Sequence, residues 1–480
     1  ALTDADYNVA LGVSALTTDT LGSRTTAIGT NALFSQNFTT ATDSNNTAVG
    51  FEAGAAITTG TLNTLVGADA GKALTNSPLN TAVGYSALSA ATTGDLNTAI
   101  GAYSLSTNIL SDRNVALGYQ ALQTHNVATN ADAYNTAVGF FAGRLITTGV
   151  ENTLVGGLAG DSLTDADVNV AVGYSALGAD TLGSRTTAIG VGALARQNFT
   201  TATEVMNTVV GAYAAEDITV GLQNTIVGAL AGLQLTDADF NVAIGYAALS
   251  QDVLGSRSVA VGYGALDAQN FTTATNSYNT AVGNNAGGAV TTGVNNTLIG
   301  GVTGNTLTTG SNNTLLGKGT NVDNAAREGA IALGHDLGTH AADNSFRVIG
   351  AGGVYNTGNT SAWNTTSDRR IKKNIADSTV GLSEINQIQV RTFEYRTADE
   401  ITDSDLQAYD KTQIAVDKSG TQVGCIAQEL QAIVPTAVRT DDRGIHTVQD
   451  DELKWHLIKA VQELSTALEA SLARITTLEG

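Results

Sequence analysis

Asn46-Thr47-Ala48-Val49-Gly50 is the stretch that decides the fold, because this five-residue word returns along the chain with small changes. Its terminal glycine recurs 19 times between Gly12 and Gly334, leaving 18 intervals, of which 14 are 17 residues and four are 21. The long intervals end at Gly50, Gly139, Gly211 and Gly283, and the last three of these lie 72 residues apart. A super-repeat of four units is therefore laid over the short one. Two units end in Ala-Leu (Ala15-Leu16, Ala32-Leu33), two follow in Ala-Gly (Ala53-Gly54, Ala70-Gly71), and one extra unit of the Ala-Leu type sits near Gly101. A fixed short period of this kind is the mark of a stacked array.

Strand and turn signals within the unit exclude a helical repeat of 33 or more residues. Thr47 and Val49 alternate with Ala48, the period of a strand, and the Thr-Thr-Gly and Asn-rich pieces between words are turn formers. Each unit reads as one coil of a parallel β-solenoid holding two or three short strands, paired with the coils on either side. About 19 coils at a strand spacing of about 4.8 Å make a stack on the order of 90 Å. The expected interior is the Val, Ile or Leu before each glycine, with the Ala three residues after it where the wall closes. The first Asn of each word is placed to stack on its successor as an amide ladder.

Composition agrees with an array. The chain has 480 residues, 53 of them Gly and 2 Pro, and only 14% are charged, against about 25% for an ordinary globular chain. A net charge of −21 excludes a phosphate backbone as partner, since such binding releases counterions to a basic surface. The single cysteine, Cys425, excludes an internal disulfide framework and a multi-thiolate metal site. No apolar run approaches the roughly 18 residues that span a bilayer, so no membrane insertion is expected. Because the chain begins at Ala1, without Met or a signal peptide, it is read as a processed or trimmed product.

The word Asn-Thr-Ala-Val-Gly-x-x-Ala resembles the repeats of YadA-type trimeric autotransporter adhesin heads over residues 1 to 334. Those repeats are shorter. The resemblance implies a left-handed parallel β-roll assembled from three chains.

After Gly334 the period stops, and from Ser367 the composition changes. Residues 367–480 hold 13 of the 23 basic and 19 of the 44 acidic residues, the charge density of a compact domain. The expected division is a repetitive array over 1–340, a junction over 341–366, and a small α+β domain over 367–480 ending in a helix at about 450–479. In that helix Lys454, Val461, Leu468 and Ile475 fall at one heptad position and Leu457, Leu464, Ser471 and Leu478 at the other. Six of the eight are apolar, the pattern of a short coiled coil.

The last domain opens with Ser367-Asp368-Arg369-Arg370-Ile371-Lys372-Lys373-Asn374-Ile375. It continues through Phe393-Glu394-Tyr395, Val423-Gly424-Cys425-Ile426-Ala427-Gln428-Glu429 and Val434-Pro435. This ordered series resembles the endosialidase-type intramolecular chaperone, a self-cleaving module at the C-termini of bacteriophage tail fibres and tailspikes. The resemblance implies a catalytic dyad of Ser367 and Lys372 and a cut between Thr366 and Ser367. A lysine acts as base only when neutral, and the like charges of Arg369, Arg370 and Lys373 favour that state. Taken alone, Ser367-Asp368 before a basic run reads as a turn or helix cap.

No other motif reaches a chemistry. His125, His335, His340, His446 and His456 are scattered, so no metal site and no cofactor is expected. Asp4-Ala5-Asp6-Tyr7-Asn8 and its copies at 165–169 and 237–241 lack the glycine and acidic residue of a calcium loop and read as turns. The long coils carry an insert, Asn37-Phe38-Thr39-Thr40, repeated around Phe199 and Phe271 and divergent at Asn126-Val127-Ala128-Thr129. Such inserts bulge outward, so Phe38, Phe199 and Phe271 are candidate receptor contacts, the alternative being that each ring packs back onto its coil. The sequence expectation is a homotrimeric fibre of a virion or extracellular surface, a phage tail fibre or similar appendage. Its expected partners are other virion or surface components and a host cell-surface glycan or protein receptor. A cellular surface adhesin or structural extracellular filament built from the same repeats is the alternative, and the expected enzymatic activity is at most autoproteolysis.

Overall fold

Thr47–Val49 forms a three-residue strand that pairs in parallel with Thr64–Val66, Thr47 against Thr64, Ala48 against Leu65 and Val49 against Val66. The pairing also crosses a 21-residue interval without slipping, Thr26, Ala27 and Ile28 lying against Thr47, Ala48 and Val49. The extra four residues are absorbed elsewhere in the coil. In this computed structural model, residues 5–127, 129, 131–336, 343, 346–348, 369, 372–402, 419–440 and 444–479 are described. Among them, 19 such strands, from Val9–Leu11 to Ile331–Leu333, form one parallel ladder, confirming a solenoid of about 19 turns with a period near 17. The chain divides into two compact units, Ala1–Arg347 and Val348–Gly480. The junction expected over 341–366 lies almost wholly outside the described residues.

Each coil holds one three-residue strand rather than two or three. The reason is the number of left-handed residues a 17-residue circuit needs. In the coil around Gly67, Leu62, Asp69, Gly67 and Gly71 all have positive φ, and a backbone bent so often cannot remain extended. Among the described residues, short second strands appear only where a 17-residue coil meets a 21-residue one, as Gly22–Ser23 with Thr42–Asp43, and likewise at 183–184 with 203–204 and 255–256 with 275–276.

The interior also differs from expectation. After the first strand, Val9–Leu11, the middle residue of each strand, such as Ala48 or Leu65, is the buried one, whereas the Val, Ile or Leu before the glycine points away from the core and stays partly exposed. This follows from the pleat, since neighbours in a strand face opposite sides. The glycine permits the next coil to approach. Gly84 has φ +135, and a Cβ there would lie 2.6 Å from the carbonyl carbon of Gly101.

The alternation of Ala-Leu and Ala-Gly units is a volume exchange. Leu33 and Leu88 fill the core from the fourth position after the glycine. Where Gly54 and Gly71 stand there instead, Leu65 occupies the space, its Cδ atoms 2.8 and 2.7 Å from where a Cβ would be. Ile57 and Leu74 complete that filling. Leu154 does the same for Gly143 and Gly160, and Leu298 for Gly287 and Gly304. Core density is thereby kept constant while the sequence changes.

The expected asparagine ladder is present. Asn63 donates its backbone N–H to Asn46 Oδ1 at 2.9 Å and its side-chain amide to the Ser77 carbonyl at 2.9 Å, and Asn80 repeats the first bond to Asn63. The buried amides are thus satisfied along the stack.

The second unit is built from small pieces. Helix α1 (Leu382–Ile385) precedes an antiparallel pair, Arg391–Phe393 with Gln422–Gly424. Helix α2 (Ala427–Gln431) leads to a second pair, Val438–Thr440 with His446–Val448. Helix α3 (Asp450–Glu479) is the expected terminal helix, 30 residues long. Leu430, Val434, Ala437 and Val438 form the core.

The glycine column yields a direct test. Gly84→Ala should destabilise the array by at least about 2 kcal/mol through backbone strain and the carbonyl clash. Gly157→Ala, where the nearest atom is a Tyr174 ring carbon at 3.5 Å, should change stability by under about 0.5 kcal/mol. Thermal unfolding of the two variants compares them.

Candidate functional site

The residues of the C-terminal series are placed by the two antiparallel pairs. Arg391, opposite Gly424 in the first pair, forms a two-point ion pair with Glu429 of α2 at 3.0 and 3.1 Å. Phe393 lies against Gly424, where a Cβ would come to 3.3 Å from its ring. Val434 is fully buried, and Pro435 begins a short 3-10 turn where its missing N–H costs nothing. Each motif therefore has a packing role.

Two contacts tie α1 and the segment just before it to α3. The Leu382 N–H donates to Glu463 Oε2 at 2.8 Å, and Ser378 Oγ lies 3.1 Å from His456 Nδ1. His456 is one of five histidines that sequence alone leaves unassigned. Only the chain reversal between α1 and α3, spanning 78 residues, brings it to Ser378, and no local spacing signals that.

Lys372 is exposed, and its backbone N–H donates to the Arg369 carbonyl at 3.3 Å. Ser367 and Thr366 lie outside the described residues. No group of His, Cys, Asp or Glu able to hold a metal occurs among the described residues. No helix among them is long and apolar enough to cross a membrane.

In the array, the receptor-contact expectation for the three phenylalanines is corrected. Phe38, Phe199 and Phe271 are 5%, 7% and 6% exposed, so their rings pack back onto the coil. What holds them is a buried polar network. Gln36 donates its amide to Asp19 Oδ2 at 2.6 Å, and the other oxygen of Asp19 accepts the Gly22 and Phe38 N–H groups at 3.0 and 3.5 Å. Asp180 with Gln197 and Asp252 with Gln269 repeat the 2.6 Å bond. Gln36, Gln197 and Gln269 then accept from Asn46, Asn207 and Asn279, each at 2.9 Å, joining the insert to the asparagine ladder. The signal was present in the sequence, since Asp and Gln each fall seven residues after their glycines, but their partnership needs the coils stacked.

The second long coil departs from this. Asn108 and His125 take the places of Asp and Gln, with His125 Nε2 2.9 Å from Ser111 Oγ and Asn108 accepting the Ser111 N–H at 3.0 Å. Burial lowers the His125 pKa to about 4, opposed weakly by the Thr147 backbone.

Residues 367–439 match the model of a protein family described as chaperone of endosialidase. No significant match to a curated protein is found. The chain thus combines a parallel β-solenoid with a C-terminal segment similar to that intramolecular chaperone.

His125 sets a pH dependence. An unfolded histidine takes up its proton near pH 6.5 while the folded one waits until about 4. Stability from its neutral state is therefore complete above pH 6.5 and lost as pH falls toward 4, by about 3 kcal/mol. Denaturant unfolding at pH 7 and pH 4 should show this component in the natural chain and not in His125→Gln. Taking the difference between the two proteins removes the opposing contribution of Asp252, whose carboxyl burial pushes up.

Proposed function

We propose that the chain is one strand of a homotrimeric fibre on a virion or extracellular surface, in which the C-terminal segment sets chain register and is then cut away. The observation that carries this reading is the outer face of the main ladder. All 19 residues before the column glycines are Val, Ile or Leu, none is fully buried, and none of the 19 strands that hold them carries a charge. A monomer rarely exposes more than a few hundred square ångströms of contiguous apolar surface. Helix α3 supports the same reading, since Leu457, Val461, Leu464, Leu468, Leu472 and Ile475 are each about half exposed along its length. Nearly identical coils can pair in many registers, and a C-terminal clamp removes that freedom before the array closes.

Autocleavage follows the dyad. Lys372 takes the proton of the Ser367 hydroxyl, the Ser367 oxygen attacks the Thr366 carbonyl carbon, and the peptide bond breaks at the Ser367 nitrogen, which receives the proton. The ester formed is hydrolysed by water, releasing a fragment that begins at Ser367. The role in surface attachment, as a tail fibre or similar appendage, rests on the match of residues 367–439 to the chaperone of endosialidase.

Intact-mass analysis of the expressed chain should show a 114-residue fragment, residues 367–480 of 480, that is absent from Ser367→Ala and Lys372→Ala. A natural chain that never yields it removes the protease. Sedimentation should give a trimer, and Leu464→Lys with Leu468→Lys should leave monomers or aggregates, each apolar position changed costing on the order of 1 kcal/mol or more per chain. A monomeric natural chain rejects the fibre reading.

A further inference from the structure

Aromatic rings concentrate in one column of the array, at the first and second residues after the glycines, all of them exposed except Tyr103 and Phe141, which are half-buried. Phe51, Tyr85, Tyr119, Phe140, Tyr174, Tyr246 and Tyr263 occupy the first of these positions, and Tyr103, Phe141 and Tyr213 the second. Across four consecutive coils they form an unbroken run. Tyr85 and Tyr103 meet edge to face at 5.2 Å, Tyr103 and Tyr119 at 6.3 Å, and Tyr119 stacks on Phe140 at 5.6 Å. Phe140 and Phe141 lie side by side at 3.9 Å.

The coil does not need these rings. Tyr85, Tyr119 and Phe140 remain 49%, 42% and 53% exposed, and other coils close with Thr30, Ala68, Ala102 or Gly157 at the same position. Tyr103 and Phe141 even sit at φ 59° and 60°, where a bulky residue is least favoured. Rings set in a row, with Tyr85, Tyr119 and Phe140 open to water, mark a binding surface.

We propose that the run from Tyr85 to Phe141 is a docking strip for a neutral glycan, a site that rests on the surface-attachment reading and gives it a location. Charge chooses the partner. The first and second positions of these four coils carry no charged residue, within a chain of net charge −21. The nearby Arg144 lies 4.5 Å above the Phe141 ring and 3.8 Å from Asp161, which balances it. An anionic polymer is repelled by such a chain, and a cationic one is drawn to its acidic surfaces instead. A sugar ring offers what remains, an apolar C–H face for each aromatic and hydroxyls for the Tyr85, Tyr103 and Tyr119 oxygens and the Gln120 amide. Coils advance by about 4.8 Å, so successive rings follow an extended oligosaccharide laid along the stack.

The test is native gel electrophoresis of the full chain through gels containing soluble mannan, galactomannan or hydroxyethyl cellulose, with polysialic acid as the anionic comparison. The natural chain should be retarded in at least one neutral gel and not in polysialic acid. Tyr119→Ser with Phe140→Ser should weaken that retardation by about tenfold, Tyr119→Ser alone by less, and Tyr278→Ser, outside the column, should not change it. Unchanged retardation of the double variant overturns the strip. So does a changed sedimentation coefficient in that variant, which assigns the rings to contacts between copies. Retardation in polysialic acid alone overturns the strip and leaves surface attachment standing, whereas retardation in no gel overturns the strip and counts against attachment as well.

Discussion

Everything in the array depends on how closely one coil can approach the next. The ladder requires backbones at hydrogen-bonding distance at the same angular position in every turn, and the column of glycines is where that approach is tightest. At Gly84 and Gly101 the neighbouring carbonyl occupies the volume of a side chain. Once that spacing is set, the Asn46–Asn63–Asn80 ladder, the buried alanines and the stacked outer residues follow, since each repeats at the same step. The long coils must obey it too. Their additional residues leave the main ladder untouched and fold into the Asp19–Gln36 network instead.

Within that spacing the interior is conserved in volume rather than in residue. Leu33 and Gly54 hold equivalent positions, and the difference is made up by Leu65 and Ile57 from other parts of the circuit. The polar groups behave similarly. Asp19 with Gln36 and Asn108 with His125 fill one location with different chemistry, yet both satisfy the backbone N–H that faces them. A buried acceptor at that point is what the coil requires, and an amide serves as well as a carboxylate.

Much of this was legible in the chain itself. Period, strand position, the asparagine ladder and the terminal helix all follow from spacing, because each coil contacts only its neighbours and local pattern maps onto local structure. What spacing could not reveal was direction. Val49 was expected inward and Ala48 is the residue that is buried; Phe38 was expected outward and is held in by Asp19 through its own N–H. Both depend on which way the chain turns after the strand, and left-handed residues as varied as Leu62, Asp69 and Glu52 give no compositional warning of it. In the C-terminal unit the motifs were recognisable, but the meeting of Ser378 with His456 spans 78 residues and belongs to packing alone.

The 72-residue super-repeat has a bearing on how such a protein changes length. The block over residues 212–283 is four coils, about 19 Å of stack, and the long coils at its two ends carry the same partners, Asp180, Gln197 and Asn207 at one and Asp252, Gln269 and Asn279 at the other. Duplicating or deleting that block would therefore keep both the ladder register and the buried polar network at the new junction. Reach becomes a quantity that a lineage can adjust in fixed increments, by recombination between its own repeats, without having to solve the fold again.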